Sequence, residues 1–254
     1  MPSLFDLEGR IALVTGSTRG LGLVLARGLG RAGARVVLNG RNPEALRASV
    51  ERLTSEGVHA SGCLFDVTDR EAVARQVADL ETGLGPIEIL VNNAGIQRRA
   101  PFIEMDETTW REVLDVNLTG VFLVTQQVAK GMVARRRGKI INICSLLSEV
   151  GRPTIAPYTA SKGGVKLLTR AMAVEWARDN VQVNGIGPGY FATEMNTALM
   201  ENAEFDRWLK QRTPAGRWGD PEELVGTAVF LASQASSFIT GQIVYVDGGV
   251  LASL

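Results

Sequence analysis

A tyrosine and a lysine four residues apart, Tyr158 and Lys162, form the pair in this sequence best suited to acid–base chemistry. On a helix, this spacing places both side chains on one face, one turn apart. Pro157 fits the first turn of that helix, where its missing N–H does no harm. A tyrosine of pKa about 10 exchanges protons poorly at neutral pH, and a neighbouring ammonium lowers that pKa. The pair is a candidate proton donor, although a lone Tyr–Lys pair is more often a surface contact.

A glycine-rich segment, TGSTRGLG over residues 15–22, follows the first predicted strand and opens a helix. Glycines in such a turn let the backbone approach a pyrophosphate, whose charge is held by the N-terminal amides of the helix. The spacing GxxxGxG departs from the usual GxGxxG dinucleotide fingerprint, and a tight strand-to-helix connection would also use glycine. A Walker loop is excluded because no Gly-Lys-Ser/Thr follows.

The second predicted strand ends in Asn39-Gly40-Arg41, where an NAD site usually carries Asp or Glu. A small residue followed by a guanidinium suits a 2′-phosphate, which arginine grips with two hydrogen bonds. Arg19, inside the glycine turn, could reach the same phosphate. The sequence therefore favours NADP, with NAD possible, unless both arginines are only solvated surface charges.

Short apolar runs rich in β-branched residues alternate with helical patterns from end to end, which predicts an α/β fold. The expected architecture is a Rossmann-type doubly wound seven-stranded parallel sheet with helices on both faces. We find no linker, so a single domain is predicted over residues 1–254. The predicted strands are Ile11–Thr15, Arg35–Asn39, Cys63–Asp66, Ile87–Asn92, Lys139–Cys144, Val181–Ile186 and Ile243–Val246. The main predicted helices are Pro43–Glu56, Arg70–Leu84, Thr108–Arg137, Ala156–Arg178 and Pro221–Ala232.

Composition narrows the class of protein. The 254 residues include 27 basic and 27 acidic side chains, and zero net charge argues against a nucleic-acid binder. The first residues lack the basic and apolar regions of a signal peptide, and no apolar run reaches about 18–20 residues, so we expect no signal peptide, no membrane contact and a cytoplasmic location. One histidine, His59, leaves no cluster for a metal. Cys63 and Cys144 are expected to be buried free thiols. The segment Arg135-Arg136-Arg137-Gly138 predicts a helix C-terminus with Gly138 at the C′ position, rather than an anion-binding patch.

The order of these motifs identifies a family. The glycine turn is followed by Asn92-Asn93-Ala94-Gly95, Asn117, Ser145, the Tyr158/Lys162 pair and Pro188-Gly189. In this order the chain resembles the short-chain dehydrogenase/reductase family, and the likeness extends to Val246-Asp247-Gly248-Gly249 near the C-terminus. The resemblance implies an oxidoreductase in which the nicotinamide carries the hydride and the protein supplies placement and proton chemistry.

The resemblance also assigns expected roles to residues of this sequence. Tyr158 would be the general acid for carbonyl reduction and the base for alcohol oxidation, and Ser145 would polarise the substrate carbonyl. Lys162 would hold the nicotinamide ribose and lower the pKa of Tyr158, and Asn117 would position a water that links Lys162 to solvent. The implied cofactor residues are Gly16, Ser17, Arg19, Gly20, Leu21 and Gly22 at the pyrophosphate, Arg41 at the adenosine phosphate, Asp66 and Val67 at the adenine, Asn93, Ala94 and Gly95 at the adenosine ribose, and Pro188, Gly189 and Thr193 at the carboxamide.

Within the family, the chain is most similar to the gluconate 5-dehydrogenase group. The likeness is carried by Asn93–Arg99, by GYFATEM over residues 189–195 and by RTPAGRWGDP over residues 212–221. It implies a sugar-acid substrate, with D-gluconate and 5-keto-D-gluconate interconverted. Ser145 and Tyr158 would contact this substrate, and its carboxylate would need a cation. Arg98, Arg99 and Arg152 fall in loops beyond strand ends, where open α/β sheets bind ligands, and the sequence leaves open which of them is used.

Two other functions remain open at this point: reduction of another ketone, such as a 3-oxoacyl thioester, and a regulator that binds NADPH without turnover.

Two glycines in the sequence bear on the oligomeric state. Gly163 and Gly164 lie inside the helix of Tyr158, where each costs about 1 kcal/mol against alanine, which suggests close approach by a ligand or another helix. The resemblance implies a homotetramer with this helix at a four-helix contact; the alternative is relief of crowding within one subunit.

Overall fold

The structure, a computed structural model, describes residues 4–253, so residues 1–3 and 254 of the predicted domain lie outside the described residues. Its centre is a sheet of seven parallel strands in the order β3-β2-β1-β4-β5-β6-β7. The predicted seven-stranded doubly wound sheet is confirmed. The strands are β1 (Ile11–Val14), β2 (Arg35–Gly40), β3 (Ala60–Leu64), β4 (Ile87–Asn92), β5 (Gly138–Ile143), β6 (Val181–Pro188) and β7 (Ile243–Val246).

Helices cover both faces of this sheet. They are α1 (Gly20–Arg31), α2 (Pro43–Ser55), α3 (Arg70–Gly83), α4 (Glu107–Leu114), α5 (Gly120–Arg135), α6 (Ala156–Trp176), α7 (Thr197–Met200), α8 (Ala203–Arg212) and α9 (Val225–Ala232). In residues 4–253, every helix is too short or too polar to span a membrane.

Side chains of β1 alternate between two hydrophobic cores, because successive strand residues point to opposite faces. Ala12 and Val14 pack in the core that also holds apolar residues of α1, α2 and α9. Ile11 and Leu13 pack in the core that holds residues of α3, α5 and α6. Both faces of the strand are buried, which explains why its sequence is an unbroken apolar run.

The bounds of β3 differ from the prediction. The strand was expected at Cys63–Asp66 but runs from Ala60 to Leu64, in register with β2 from Val36 to Gly40. The small residues at its start have little strand preference of their own. Because it pairs with β2, the strand begins at Ala60, earlier in the sequence than its hydrophobicity indicates.

The predicted helix Thr108–Arg137 is interrupted by a π-helical turn over Asp115–Thr119 and ends at Arg135. A helix end at this segment is confirmed, but the placement of Gly138 at C′ is wrong. Arg136 adopts the left-handed conformation there, with φ of 53°, and Gly138 already belongs to β5. Gly138 is required for close approach instead, since a Cβ on it would lie 2.5 Å from Met132 Sδ.

The short helices α7 and α8 were not predicted, because their polar sequences lack a clear apolar repeat. Asn202 caps α8 by accepting a hydrogen bond from Phe205 N. The two helices follow the loop after β6, and α8 contributes Phe205 and Trp208, which pack against Tyr190. Cys63 and Cys144 are buried free thiols, as predicted.

Candidate active site

The carboxyl ends of all seven strands meet at one edge of the sheet, because every neighbouring pair is parallel. The strand order reverses between β1 and β4, so the loops after these two strands diverge there. Crevices at such a switch point are where open α/β sheets bind ligands. The predicted site residues lie in the loops at this edge and on the helices next to them.

The glycine turn after β1 packs directly on the loop after β4. Gly16 has φ of 60°, and a Cβ on it would lie 2.8 Å from Ala94 Cα. A Cβ on Gly22 would lie 2.4 Å from Asn93 Nδ2. Arg19 occupies the N-cap of α1 without a side-chain hydrogen bond. The first amides of α1 therefore lack a side-chain cap, which suits an anionic group.

Thr15, which precedes the turn, joins it to the β4 loop. Its Oγ1 accepts hydrogen bonds from Asn93 N at 3.0 Å and Ala94 N at 3.1 Å. Asn93 Nδ2 in turn donates to the carbonyl oxygens of Thr15 and Gly16, both at 2.9 Å. Of the three residues Asn93, Ala94 and Gly95, the first two thus form the wall of the turn, and Gly95 lies against Asn117.

Asn39 organises the turn from the side of β2. Its Oδ1 accepts from Gly16 N at 3.1 Å, and its Nδ2 donates to the carbonyl oxygens of Cys63 and Phe65. Ser17 is fully buried, with its hydroxyl donating to a β1 carbonyl and its amide donating to Asn39 O. The hydroxyl and the amide of Ser17 thus also support the turn from within, and its contact with a pyrophosphate stays a prediction.

The residues proposed for a 2′-phosphate lie at the surface beyond β2. Arg19 is exposed, and the Arg41 side chain, 72% exposed, has Nη1 3.4 Å from Asp66 Oδ2. Burial alone would raise the pKa of Asp66, but hydrogen bonds from Thr68 and Arg41 lower it. Asp66 is therefore a carboxylate whose two oxygens are already engaged by Thr68 and Arg41.

Ser145, Tyr158 and Lys162 converge where β5 ends against α6. Ser145 follows β5 in extended backbone conformation, and its hydroxyl is near enough to Tyr158 to lower the pKa of the phenol. Lys162 is 4% exposed, with Nζ donating to Ile143 O at 2.6 Å and lying 5.6 Å from the centre of the Tyr158 ring. The predicted one-turn spacing of the pair on a helix is confirmed.

Burial moves the two titrating groups in opposite directions. It raises the pKa of Tyr158, while the hydrogen bond from Ser145 lowers it without cancelling the increase. Burial also lowers the pKa of Lys162 to about 8. Ser145 is the neighbour that lowers the pKa of Tyr158 in this structure, and the expected lowering by Lys162 stays a prediction.

Asn117 lies in the π-helical turn between α4 and α5 and is fully buried. Its Oδ1 accepts from Ile96 N at 2.8 Å, while Nδ2 donates to Ile96 O and to Ser161 Oγ. Ser161 Oγ donates to Tyr158 O at 2.7 Å. Both N–H groups of the Asn117 amide thus hold the β4 loop against α6, and the role of this residue in positioning a water stays a prediction.

The other predicted cofactor residues lie along the same edge. Leu21 is partly buried against the core of α1, and Val67 is buried against Gly120. Pro188 ends β6, Gly189 N donates to Val246 O at 2.9 Å, and Thr193 begins a short 3-10 turn with extended backbone.

The structure separates the three candidate substrate arginines. Arg98 Nη2 is paired with Glu112 Oε1 at 2.8 Å. Arg99 and Arg152 have no carboxylate partner within residues 4–253, and their loops are joined by a hydrogen bond from Ala100 N to Thr154 O at 3.0 Å. Partial burial and the nearby charge of Arg152 lower the pKa of Arg99.

Aromatic residues that were not predicted hold Arg152 in place. Its Nη1 donates to the Tyr190 hydroxyl at 3.2 Å, and its guanidinium lies 4.5 Å from the Phe205 ring centre and 6.0 Å from that of Trp208. Tyr190 also packs with Tyr158 around Leu146, Leu147 and Ile155. Two arginines without an acid therefore lie near Tyr190, which packs on the same apolar cluster as Tyr158, in an arrangement suited to an anionic ligand.

Known proteins share this fold and these motifs. Residues 16–251 match the family described as Enoyl-(Acyl carrier protein) reductase. The chain belongs to the short-chain dehydrogenase/reductase family. It is 57% identical to a gluconate 5-dehydrogenase of Gluconobacter oxydans, over 100% of this chain and 99% of that one. It is 49% identical to a 2-dehydro-3-deoxy-D-gluconate 5-dehydrogenase of Formosa agariphila, over 99% and 96% of the two chains.

A solved structure extends the comparison to three dimensions. It is a gluconate 5-dehydrogenase from Burkholderia cenocepacia in complex with NADP and tartrate. Its chain is 53% identical to this one, with a TM-score of 0.96 over 98% of both chains. The family and the overall fold of this chain are those of an NAD(P)-dependent oxidoreductase.

Proposed function

We propose that this protein interconverts D-gluconate and 5-keto-D-gluconate with NADP as the preferred cofactor. The observation that carries the proposal is the pair Arg99 and Arg152, two arginines without a carboxylate partner in residues 4–253 and both near Tyr190, which packs on the same cluster as Tyr158. Similarity to gluconate 5-dehydrogenases supports the choice of sugar acid. In this proposal the family similarity supplies the reaction class, and the arginine pair explains the preference for an acid.

The residues present fit an NADP cofactor. The amides at the start of α1 have no side-chain cap and can bind a pyrophosphate. Gly16 and Gly22 lack a Cβ, so the turn packs closely on the β4 loop and its backbone can face this group. Arg19 and Arg41 would hold the 2′-phosphate, and Lys162 would hold the nicotinamide ribose. When bound, the nicotinamide accepts the hydride in oxidation and donates it in reduction.

Tyr158 would handle the proton in this reaction. In reduction its Oη gives a proton to the oxygen at C5, and in oxidation it takes the proton from the C5 hydroxyl. Ser145 donates a hydrogen bond to the same oxygen and polarises the carbonyl. Its position beside Tyr158 supports this assignment, because both hydroxyls can then face the same reacting oxygen. Asn117 positions α6 through Ser161.

Arg99 and Arg152 would bind the substrate carboxylate. Charge-assisted hydrogen bonds to a carboxylate are stronger than neutral ones, and the aromatic contacts of Arg152 limit its freedom before the substrate arrives. The tartrate in the related structure, a dicarboxylate, is consistent with an anion-binding site in this family. Arg98 is not assigned to the substrate, since Glu112 already neutralises it.

The substrate can be tested with a panel of compounds. D-gluconate with NADP, and 5-keto-D-gluconate with NADPH, should give the highest kcat/KM, with oxidation at C5 established by NMR of the product. A higher kcat/KM for 2-dehydro-3-deoxy-D-gluconate would transfer the assignment to that sugar acid. Preference for a 3-oxoacyl thioester would contradict the sugar-acid proposal, and NADPH binding without turnover of any ketone would indicate a regulator.

The arginine assignment has a matched test. Arg152→Ala and Arg99→Ala should each raise KM for 5-keto-D-gluconate about ten- to a hundredfold, but should leave reduction of the corresponding uncharged amide nearly unchanged. Arg98→Ala is the control and should leave both substrates unaffected. Equal losses on the acid and the amide would show that the two arginines do not bind the carboxylate.

A further inference from the structure

Ser148 joins the backbones of two residues of the proposed catalytic set. Its Oγ accepts a hydrogen bond from Ser145 N at 3.2 Å and donates one to Lys162 O at 2.9 Å. The first contact is on the short turn after β5, and the second is on α6. One hydroxyl therefore fixes the distance between the segment that carries Ser145 and the helix that carries Lys162.

The same turn also fixes the direction of the hydrogen bond made by Ser145. Leu147 N donates to Ser145 Oγ at 3.1 Å, while Ser148 Oγ accepts from Ser145 N, so the two serines form a reciprocal cap. A lone pair of Ser145 Oγ is occupied by this amide, and its proton remains free to point into the site. The direction agrees with the effect of Ser145 on Tyr158, since Ser145 lowers the pKa of the phenol and a donor would stabilise the phenolate.

We propose that Ser148 is a positioning residue for the reaction, which acts by holding the Ser145 hydroxyl as a donor toward Tyr158 and the reacting oxygen. This inference rests on the proposed function, since it assumes that Ser145 and Tyr158 act on the substrate. Ser148 itself touches no reacting atom. Its hydroxyl is needed because Ser145 and Lys162 are 8% and 4% exposed, so their backbone groups have little water to replace it.

A second connection keeps this segment on α6 when the Ser148 hydroxyl is removed. The next residue, Glu149, is paired with Lys166 and accepts a hydrogen bond from the Tyr245 hydroxyl. Lys166 lies one turn beyond Lys162 on α6. We therefore expect Ser148→Ala to fold and to loosen the orientation of Ser145 rather than detach the turn.

The test is a double-mutant cycle in kcat/KM with Ser148→Ala, Ser145→Ala and the double variant. Ser148→Ala should lower kcat about ten- to a hundredfold, as small misplacements of catalytic groups do, while the Kd for NADPH stays unchanged. In the Ser145→Ala background, Ser148→Ala should lower kcat/KM by less than about twofold, because both changes act through the same Ser145 hydroxyl. Ser148→Thr, which keeps a hydroxyl, should recover most of the activity.

The pH–rate profile gives a second readout. In Ser148→Ala, the apparent pKa assigned to Tyr158 should rise, because the donor that stabilises its phenolate is less well held. The other groups that face Tyr158, namely Lys162, Cys144 and Tyr190, are unchanged in this variant. Ser233→Ala is the control: Ser233 caps another 3-10 turn with a similar pair of bonds, at the end of α9, and its removal should shift neither kcat nor the profile.

Three outcomes would overturn the inference: wild-type kinetics in Ser148→Ala, an equal loss in the Ser145→Ala background, or a loss of kcat without a change in the profile. If Ser148→Ala does not fold, Ser148→Cys replaces it in the same cycle. Full activity in Ser145→Ala would instead contradict the proposed catalytic set. If Ser145→Ala is inactive and Ser148→Ala is fully active, the positioning role of Ser148 is rejected and the proposed catalytic set is kept.

Discussion

At the scale of single residues, burial has opposite effects on the protonation of Tyr158 and Lys162. The pKa of the phenol is raised and that of the ammonium falls to about 8, so at neutral pH the tyrosine holds its proton. A protonated tyrosine next to Ser145 is ready to act as an acid in ketone reduction. Alcohol oxidation requires the ionised phenol, so its rate should increase with pH above neutrality.

Replacing Tyr158 with phenylalanine tests the proton donor directly. Tyr158→Phe should lower kcat about 10²–10⁴-fold, the usual contribution of general acid–base catalysis. The Kd for NADPH should stay within about twofold of wild type, since only the hydroxyl is lost. Steady-state rates and a fluorescence titration of NADPH measure the two quantities. A variant that keeps most of its kcat would contradict the assignment of Tyr158.

Arg41 tests the choice between the two nicotinamide cofactors. Arg41→Ala should weaken NADPH binding about ten- to a hundredfold, the value of one charge-assisted contact. NADH lacks the 2′-phosphate, so its Kd should not change. Arg47→Ala is the control, because Arg47 is an equally exposed arginine on α2 that pairs with Glu51. Equal changes for NADPH and NADH in Arg41→Ala would show that Arg41 does not contact the phosphate.

At the scale of elements, the sequence predicts well what depends on local pattern. The seven strands and the placement of Tyr158 and Lys162 on one helix follow from apolar periodicity and spacing. The π-helical turn at Asn117 could not be predicted in this way. It adds a residue to the helical turn without any break in the sequence pattern, and it is stabilised by contacts to Ile96 and Ser161, which are distant in the sequence.

Asn39 shows the same limit at the cofactor edge. From the sequence, Asn39 only marks a position where an NAD site would carry an acid. The structure shows that its buried amide hydrogen-bonds to two segments, the glycine turn and the end of β3. The pairing of Arg98 with Glu112 and the aromatic contacts of Arg152 likewise depend on tertiary packing. The sequence alone left the three arginines equivalent because each follows a strand end.

Lys139 near the start of β5 gives a prediction for stability. This lysine is 3% exposed, its Nζ contacts Ser236 Oγ at 3.1 Å, and burial together with the charge of Arg10 lowers its pKa to about 8. Since its ordinary pKa is 10.5, the unfolded chain binds more protons between these values. This lysine should therefore make stability rise from about pH 8 to pH 10.5.

Lys139→Met removes this titration. Below pH 8 the variant should be more stable than wild type, by up to about 3 kcal/mol, and the difference should vanish by about pH 10.5. Ser236 keeps a partner in the variant, because its hydroxyl also donates to Leu231 O. Urea unfolding at pH 7 and pH 10 measures the difference, with the exposed Lys130→Met as control. A variant less stable than wild type at pH 7 would show that the hydrogen bond of Lys139 outweighs its burial.

At the scale of the whole molecule, α5 and α6 present apolar side chains to the outside. Leu167 is 62% and Val174 is 81% exposed, and they lie seven residues apart on one side of α6. Phe122 on α5 is 40% exposed. The two glycines of α6 differ in the space around them. A Cβ on Gly164 would lie 2.9 Å from Leu118 Cδ2 of the same chain, while a Cβ on Gly163 would have no atom within 4 Å. Packing within the subunit therefore explains the glycine at position 164. The argument for an oligomer rests on the exposed apolar side chains instead.

We predict a homotetramer in which this face of α5 and α6 is covered by a second subunit, because apolar side chains this exposed are usually buried by association. Light scattering at micromolar concentration should give a mass four times the 27.3 kDa of the chain. Leu167→Glu combined with Val174→Glu places charges in the contact and should lower the mass without unfolding the subunit. Leu64→Glu, on the half-exposed edge strand β3, is the control and should remain a tetramer. A wild-type mass of one chain would contradict the prediction, and a tetrameric double variant would place the contact on another face.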